Sequence, residues 1–172
     1  MTDGIINVNK PEGWTSQDIC TKLRHRLHIK KIGHTGTLDP MATGVLPVCI
    51  GKATRIIEYY DNDRKTYRAC MKLGYTSDTL DIWGNTEKTG GFSDVTEEMI
   101  KSAFVAYTGI IEQIPPKYSA LRINGKRAYD LAREGQEFEI KPRRITIYSN
   151  TVTRIDLATG EVEFDVTCSK GT

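Results

Sequence analysis

Residues 33–40 read Gly-His-Thr-Gly-Thr-Leu-Asp-Pro, and after Met41 the chain continues Ala42-Thr43-Gly44. Three glycines and a proline within residues 32–44 interrupt any helical or strand period, so this stretch is expected to be a loop. Gly33, Gly36 and Gly44 are positions where the backbone can approach a ligand closely or take up positive φ. Pro40 restricts Asp39 to an extended conformation and thereby fixes the direction of its carboxylate. Asp39 is also the first acid after a basic window. Residues 19–38 hold Lys22, Arg24, Arg26, Lys30 and Lys31, with His25, His28 and His34, and no Asp or Glu. A nearby cation is therefore expected to keep the Asp39 carboxylate ionised. An ionised, oriented carboxylate on a phosphate-attracting surface is a candidate nucleophile. A turn with a capping aspartate has the same composition, and spacing alone does not separate the two.

Upstream of the loop, residues 4–8 read as a short strand of Ile5, Ile6 and Val8, broken at Pro11 and Gly13. Thr15 or Ser16 caps the helix that follows, in which Ile19, Leu23 and Leu27 recur at i, i+4 and i+8. Lys22, Arg26 and Lys30 share a different stripe and are expected to face outward. Downstream, residues 45–50 are apolar enough for a buried strand, although Pro47 pushes it towards an edge or a bulge. A short helix is expected through Ile56, Ile57 and Tyr60. Residues 66–73 alternate, with Tyr67, Ala69, Met71 and Leu73 on one face and Arg68 and Lys72 on the other, as in a strand. Residues 74–92 read as a loop. Thr96, followed by Glu97 and Glu98, starts a helix expected to reach Gly109. Pro115-Pro116 breaks the chain, Asn124-Gly125 marks a turn, and a short helix is expected at 128–133, closed by Gly135. Residues 144–157 and 161–168 flank Thr159-Gly160 as a hairpin. Interspersed helices and antiparallel hairpins define an α+β, or mixed α/β, class.

The 172 residues fit one domain, and 38% hydrophobic with 27% charged residues is a globular composition. No run approaches the roughly 18 apolar residues of a membrane span. The N terminus has no basic-then-apolar leader pattern, so the cytoplasm is the expected compartment. Cys20, Cys49, Cys70 and Cys168 contain no C-x-x-C pair and are expected to be reduced, mostly buried thiols. The net charge of +2 conceals segregation. Arg64, Lys65, Arg68 and Lys72 form a second basic run. Lys117, Arg122, Lys126 and Arg127, then Lys141, Arg143 and Arg144, form a third. The acids Glu87, Asp94, Glu97 and Glu98 collect elsewhere. Such segregation points to a polyanion-binding face, or to several solvated faces that never merge. Gly51-Lys52 is not the end of a phosphate-binding P-loop, because Leu46 and Ala53 stand where that motif needs Gly and Ser or Thr. Gly33-His34-Thr35-Gly36 also matches the G-x-x-G of a KH-type RNA-binding loop.

Residues 7–16, Asn-Val-Asn-Lys-Pro-Glu-Gly-Trp-Thr-Ser, then residues 33–40, then Lys65-Thr66-Tyr67, resemble three successive motifs of the TruB-type tRNA pseudouridine-55 synthases. Residues 114–121, Ile-Pro-Pro-Lys-Tyr-Ser-Ala-Leu, with Gly125, Tyr129 and Ala132-Arg133, resemble the RNA-gripping insertion of that family, about 115–143. The final Cys168-Ser169-Lys170-Gly171-Thr172 is similar to the opening of its next motif. The resemblance implies a pseudouridine-synthase core with a largely antiparallel sheet flanked by helices, and conversion of a T-loop uridine of tRNA, position 55, to pseudouridine. It makes Asp39 the catalytic nucleophile. Tyr67 would stack on the flipped uracil, and His34 would line the space the nucleotide vacates. Lys10, Pro11, Gly36 and Thr37 would support the catalytic loop. Taken singly, Tyr67 also fits a core tyrosine, His34 a satisfied histidine and Lys10-Pro11 a strand end. No cofactor, metal or membrane is implied, the T stem-loop is the expected partner, and a monomer is expected. The family motif continues past Thr172 with a tyrosine and an arginine. The resemblance therefore implies a chain 1–172 that is partial at its C terminus, without the family's small RNA-binding module, and inactive by itself. Attack at the sugar, attack at the base and removal of a sugar proton all use the same carboxylate. A non-catalytic RNA-binding or tRNA-chaperone module is the alternative that uses the same basic face.

Overall fold

In the strand Gly4–Lys10 (β1), apolar and polar residues lead into Pro11, which cannot donate to a ladder. The computed structural model describes residues 3–59, 64–116, 122–123, 126–127, 138 and 140–172. The chain divides into two units, Met1–Asp61 and Asn62–Thr172.

The first unit is built on a three-stranded antiparallel sheet. Strand β1 pairs with Gly44–Ile50 (β3) from Gly4↔Ile50 to Lys10↔Gly44, and Ile32–His34 (β2) pairs with the other side of β3. Residues 32–34, expected as part of the loop, are thus a strand, and the irregular stretch is 35–43. Pro47 lies in the central strand rather than at an edge. Its carbonyl accepts from Thr35 N at 3.1 Å, so its hydrogen-less nitrogen points to the same side, just past the end of β2, where no partner needs it. Helix α1, Ser16–Leu27, is capped by Thr15, whose side chain accepts from Asp18 N while the Asp18 carboxylate accepts from Thr15 N. Ile19 and Cys20 are buried with Ile32, Leu46, Val48 and Ile50, and Val8, Trp14, Leu23, Ile29 and Leu38 pack against them. Leu27 is 42% exposed, because the helix ends there on His28 in the left-handed region, φ 54°. Lys30 accordingly lies beyond the helix and not on its stripe. The helix expected through Ile56, Ile57 and Tyr60 is a 3-10 helix, Gly51–Glu58, and Tyr60 lies outside the described residues.

The second unit carries a four-stranded antiparallel sheet. It comprises Arg64–Lys72 (β4), Gly109–Gln113 (β7), Arg143–Asp156 (β10) and Glu161–Ser169 (β11), in the order β4-β11-β10-β7. Between β4 and β7 come the short strands Tyr75–Ser77 (β5) and Thr86–Lys88 (β6) and the helix Glu97–Ala106 (α2). The alternation expected in β4 holds, since residues 65, 67, 69 and 71 are half-buried and their neighbours exposed. The β10–β11 hairpin holds as well, with Gly160 at φ 75° in its turn. Helix α2 stops at Ala106, short of Gly109, because Gly109 takes φ 101° and turns the chain into β7 against β10. The stretch 74–92 is not all loop. Strands β5 and β6 pair there, and their connector is closed by Asp78, which accepts from Asn85 N at 2.9 Å and Asn85 Nδ2 at 3.0 Å. Ile145, Ile147 and Cys168 are buried, with Tyr67, Ile111 and Val166 packed on them, and Phe104 meets Phe164 edge to face at 5.0 Å. Arg68–Asp165 and Arg154–Glu163, each at 2.8 Å, lie on exposed positions of this sheet.

Cys20, Cys49 and Cys168 are buried free thiols, whereas Cys70 is exposed. Among the described residues no helix is long and apolar enough to cross a membrane. Most of the expected insertion 115–143, including the Asn124-Gly125 turn and the helix at 128–133, lies outside the described residues. Within it Arg122–Ile123 (β8) and Lys126–Arg127 (β9) pair antiparallel, Arg122↔Arg127 and Ile123↔Lys126.

Candidate active site

The loop that carries Asp39 is held by two buried polar side chains from the segment before and at the start of α1. Lys10 is 0% exposed, and its ammonium donates to the carbonyls of Pro11 at 3.0 Å, Trp14 at 2.7 Å and Pro40 at 3.2 Å. Three N–H groups meet three acceptors, which is how an ammonium can be buried without a carboxylate partner. Ser16, 2% exposed, accepts from Leu38 N at 2.9 Å and donates to Leu38 O at 3.3 Å. The residues on either side of Asp39 are therefore both clamped. A third tie comes from Gly13, whose N–H donates to Pro40 O at 2.8 Å. Gly13 reaches that position through φ 79°, which a residue with a Cβ adopts only under strain. Ala42 N donates to Asp39 O at 3.0 Å and closes the turn on the far side.

Asp39 itself is exposed, and among the described residues no hydrogen bond or ion pair engages its carboxylate. The expected cation beside it is not among the described residues, and neither Lys30 nor Lys31 is paired with it. A carboxylate of this kind stands on a rigid backbone with its oxygens free for a ligand. His34 ends β2, half-buried, with Nδ1 at 2.7 Å from Gly36 O. A carbonyl only accepts, so Nδ1 carries the hydrogen, and in the neutral ring Nε2 is left as an acceptor. Gly36 serves through this carbonyl, and its φ is not positive; of the three loop glycines only Gly44 has positive φ, 121°. At Gly33 the space is tight, since a Cβ there would lie 3.1 Å from Ile57 Cδ1, which would have to shift by a few tenths of an ångström. Thr37 is exposed next to Leu38, and Pro11 contributes the carbonyl held by Lys10.

The first unit thus brings Lys10, Pro11, His34, Gly36, Thr37 and Asp39 into one neighbourhood. Tyr67 belongs to the second unit, half-buried on β4 opposite Val166 and packed against Ile145, Ile147 and Cys168. Ser16 and Gly13 were legible only as a possible helix cap and a chain breaker. Thr15 takes the cap, which frees the Ser16 hydroxyl for Leu38. The signal was two adjacent cap-competent hydroxyls, Thr15-Ser16, of which a helix end uses one. Among the described residues no group of His, Cys, Asp and Glu is placed to hold a metal ion.

This fold and loop have a counterpart among proteins of known family. Residues 24–172 match the N-terminal domain of the TruB family pseudouridylate synthases, and the chain belongs to that family. The tRNA pseudouridine synthase B of Clostridium kluyveri is 50% identical over 174 aligned positions, covering 99% of this chain and 58% of that protein. That of Clostridium tetani is 48% identical, again over 99% of this chain and 58% of the relative. The chain spans 58% of the length of these curated relatives. Among solved structures, a chain of a Cbf5-Nop10-Gar1 complex superposes with a TM-score of 0.72 at 30% identity, over 98% of this chain and 40% of that one. A chain of an H/ACA ribonucleoprotein bound to a substrate RNA containing 2′-deoxyuridine gives 0.68 at 28% identity, over 98% of this chain and 38% of that one.

Proposed function

We propose that the whole protein is a tRNA-modifying isomerase that converts a T-loop uridine, position 55, to pseudouridine, with Asp39 as nucleophile. The observation that carries the reading is the exposed Asp39 carboxylate between two clamped neighbours, Leu38 held by Ser16 and Pro40 held by Lys10. Family membership and relatives named tRNA pseudouridine synthase B supply the reaction and the RNA class.

The chemistry explains the parts. Pseudouridine is an isomer of uridine in which a carbon–carbon bond replaces the N-glycosidic bond, so no cofactor or energy source is required. The target base is flipped out, its bond to C1′ is cut, and the uracil turns and rejoins through C5. Flipping requires a few kcal/mol, less for a loop nucleotide, and stacking on Tyr67 returns part of it. Cleavage places positive charge on the sugar and negative charge on the base, and a carboxylate beside C1′ suits the first of these. A positioned carboxylate does this better than a mobile one, because alignment established before the reaction lowers the barrier. His34 lines the vacated space and the T stem-loop lies on the basic face, in a cytoplasmic setting.

The test is release of tritium from C5-labelled uridine in tRNA by Asp39→Asn. The variant is expected to lose activity by several orders of magnitude, as nucleophile replacements do, while RNA binding persists on its phosphate contacts. Turnover within tenfold of the parent protein would exclude Asp39 as nucleophile, whereas a parent protein that binds the RNA without any turnover would favour a module that only binds RNA.

A further inference from the structure

On the first unit an open groove of about 510 Å³ is lined by Gly13, Trp14, Asp18, Thr21, Lys22 and His25. It lies on the outer face of α1, and Trp14 and Gly13 in its wall are tied to the Asp39 loop. The ammonium of Lys10 that binds Pro40 O also binds Trp14 O at 2.7 Å, and Gly13 N donates to Pro40 O. Groove and catalytic loop therefore share the same struts.

The groove sets one cation, Lys22, beside His25 and faces them with a single carboxylate, Asp18. Trp14 packs one side of its ring on the core, and Lys22 Nζ stands 4.7 Å from the ring centroid. A cation–π contact of this kind holds the ammonium in place without neutralising it, so less side-chain entropy is lost when an anion arrives. His25 and Arg26 follow at i+3 and i+4 from Lys22, on one helix face and exposed. Asp18 is the one acid in the wall. It is bent back on the helix cap, where Oδ2 accepts from Thr15 N at 2.9 Å and Thr15 Oγ1 at 2.6 Å. Its hydrogen bonds from Thr15 hold the Asp18 carboxyl below the ordinary range, so it remains negative and sets the anion at the Lys22 and His25 end.

We propose that this groove is a second RNA contact, which holds a backbone phosphate of the substrate away from the target nucleotide, with Lys22 as its principal donor. The inference rests on the reading of the protein as an RNA-modifying enzyme and adds to it where the substrate strand runs along α1. Its role is binding and register, not chemistry, because the groove carries no group that reaches Asp39.

The experiment is a salt series of filter binding with a T stem-loop RNA hairpin and the whole protein, comparing Lys22→Gln, Lys22→Arg and Lys101→Gln. Loss of one phosphate contact is expected to reduce the slope of log affinity against log salt by about 0.7–0.9, and to weaken binding roughly threefold or more. Lys22→Arg keeps the charge and is expected to keep the slope. Lys101, on α2 and paired with Glu97, serves as an unrelated exposed lysine whose loss leaves the slope unchanged. Thermal melts matched to the parent protein show that the variants are folded. A Lys22→Gln protein with the parental slope overturns the groove assignment and leaves the proposed function standing. A parent protein whose RNA binding is absent or indifferent to salt overturns both.

Discussion

Replacing Lys10 by methionine keeps the volume of a fully buried side chain and deletes three hydrogen bonds to carbonyls. Bonds from a charged donor contribute about 1.5–3 kcal/mol each, so the gross loss is about 4.5–9 kcal/mol. Two effects offset it. Methionine no longer carries the desolvation penalty of a buried ammonium, several kcal/mol. Pro11 is exposed, so its carbonyl regains water. A net loss of about 2–4 kcal/mol remains, borne mainly by the carbonyls of Trp14 and Pro40. Gly13 N–H then holds Pro40 alone. Hydrogen exchange of Lys10→Met read by mass spectrometry is expected to accelerate in the peptides covering Gly13 and Leu38. Tritium release from tRNA is expected to fall at least tenfold, with RNA affinity little changed, because a loosened Asp39 loop loses alignment rather than phosphate contacts. Exchange in those peptides within a factor of two of the parent protein, together with an unchanged rate, would refute the clamp.

Ser16→Ala leaves the Leu38 N–H without its acceptor, and a loss of about 1–3 kcal/mol is expected in urea titration, with a slower isomerisation rate; a neutral variant would mean that water replaces the hydroxyl. The second unit should weaken in acid. Its hydrogen bond from Arg68 holds the Asp165 carboxyl below its ordinary value. A carboxyl with a depressed folded pKa contributes stability that is present above the unfolded value of about 3.9 and is lost as pH falls through the folded one. Melting temperatures measured from about pH 6 down to about pH 2.5 should therefore fall less in Arg68→Gln than in the parent protein, and identical pH profiles would remove the pair from the account.

Much of the fold was legible because its signals are local. The helix start at Thr15-Ser16, the alternation of residues 66–73 and the hairpin turn at Thr159-Gly160 each lie within a few residues, and each formed where expected, Thr15 taking the cap. The features that were misread depend on distant partners. Pro47 argued for an edge, yet β3 is central because β2 ends before the proline's missing donor would be needed. Strands β5 and β6 have polar sequences without strand alternation, and pairing with Asp78–Asn85 closure makes them.

The candidate site divides in the same way. The glycines, Pro40 and the acid-free basic window before Asp39 mark it in the sequence as a candidate, a carboxylate of restricted direction, because backbone restriction and local charge are properties of neighbouring residues; the same residues fit a capping turn. What holds that carboxylate still was decided by tertiary structure. Lys10 reaches Pro40 across 30 positions and Ser16 reaches Leu38 across 22. A lysine and a serine look like surface residues until folding removes water from them and leaves carbonyl and amide groups of a distant loop as their partners.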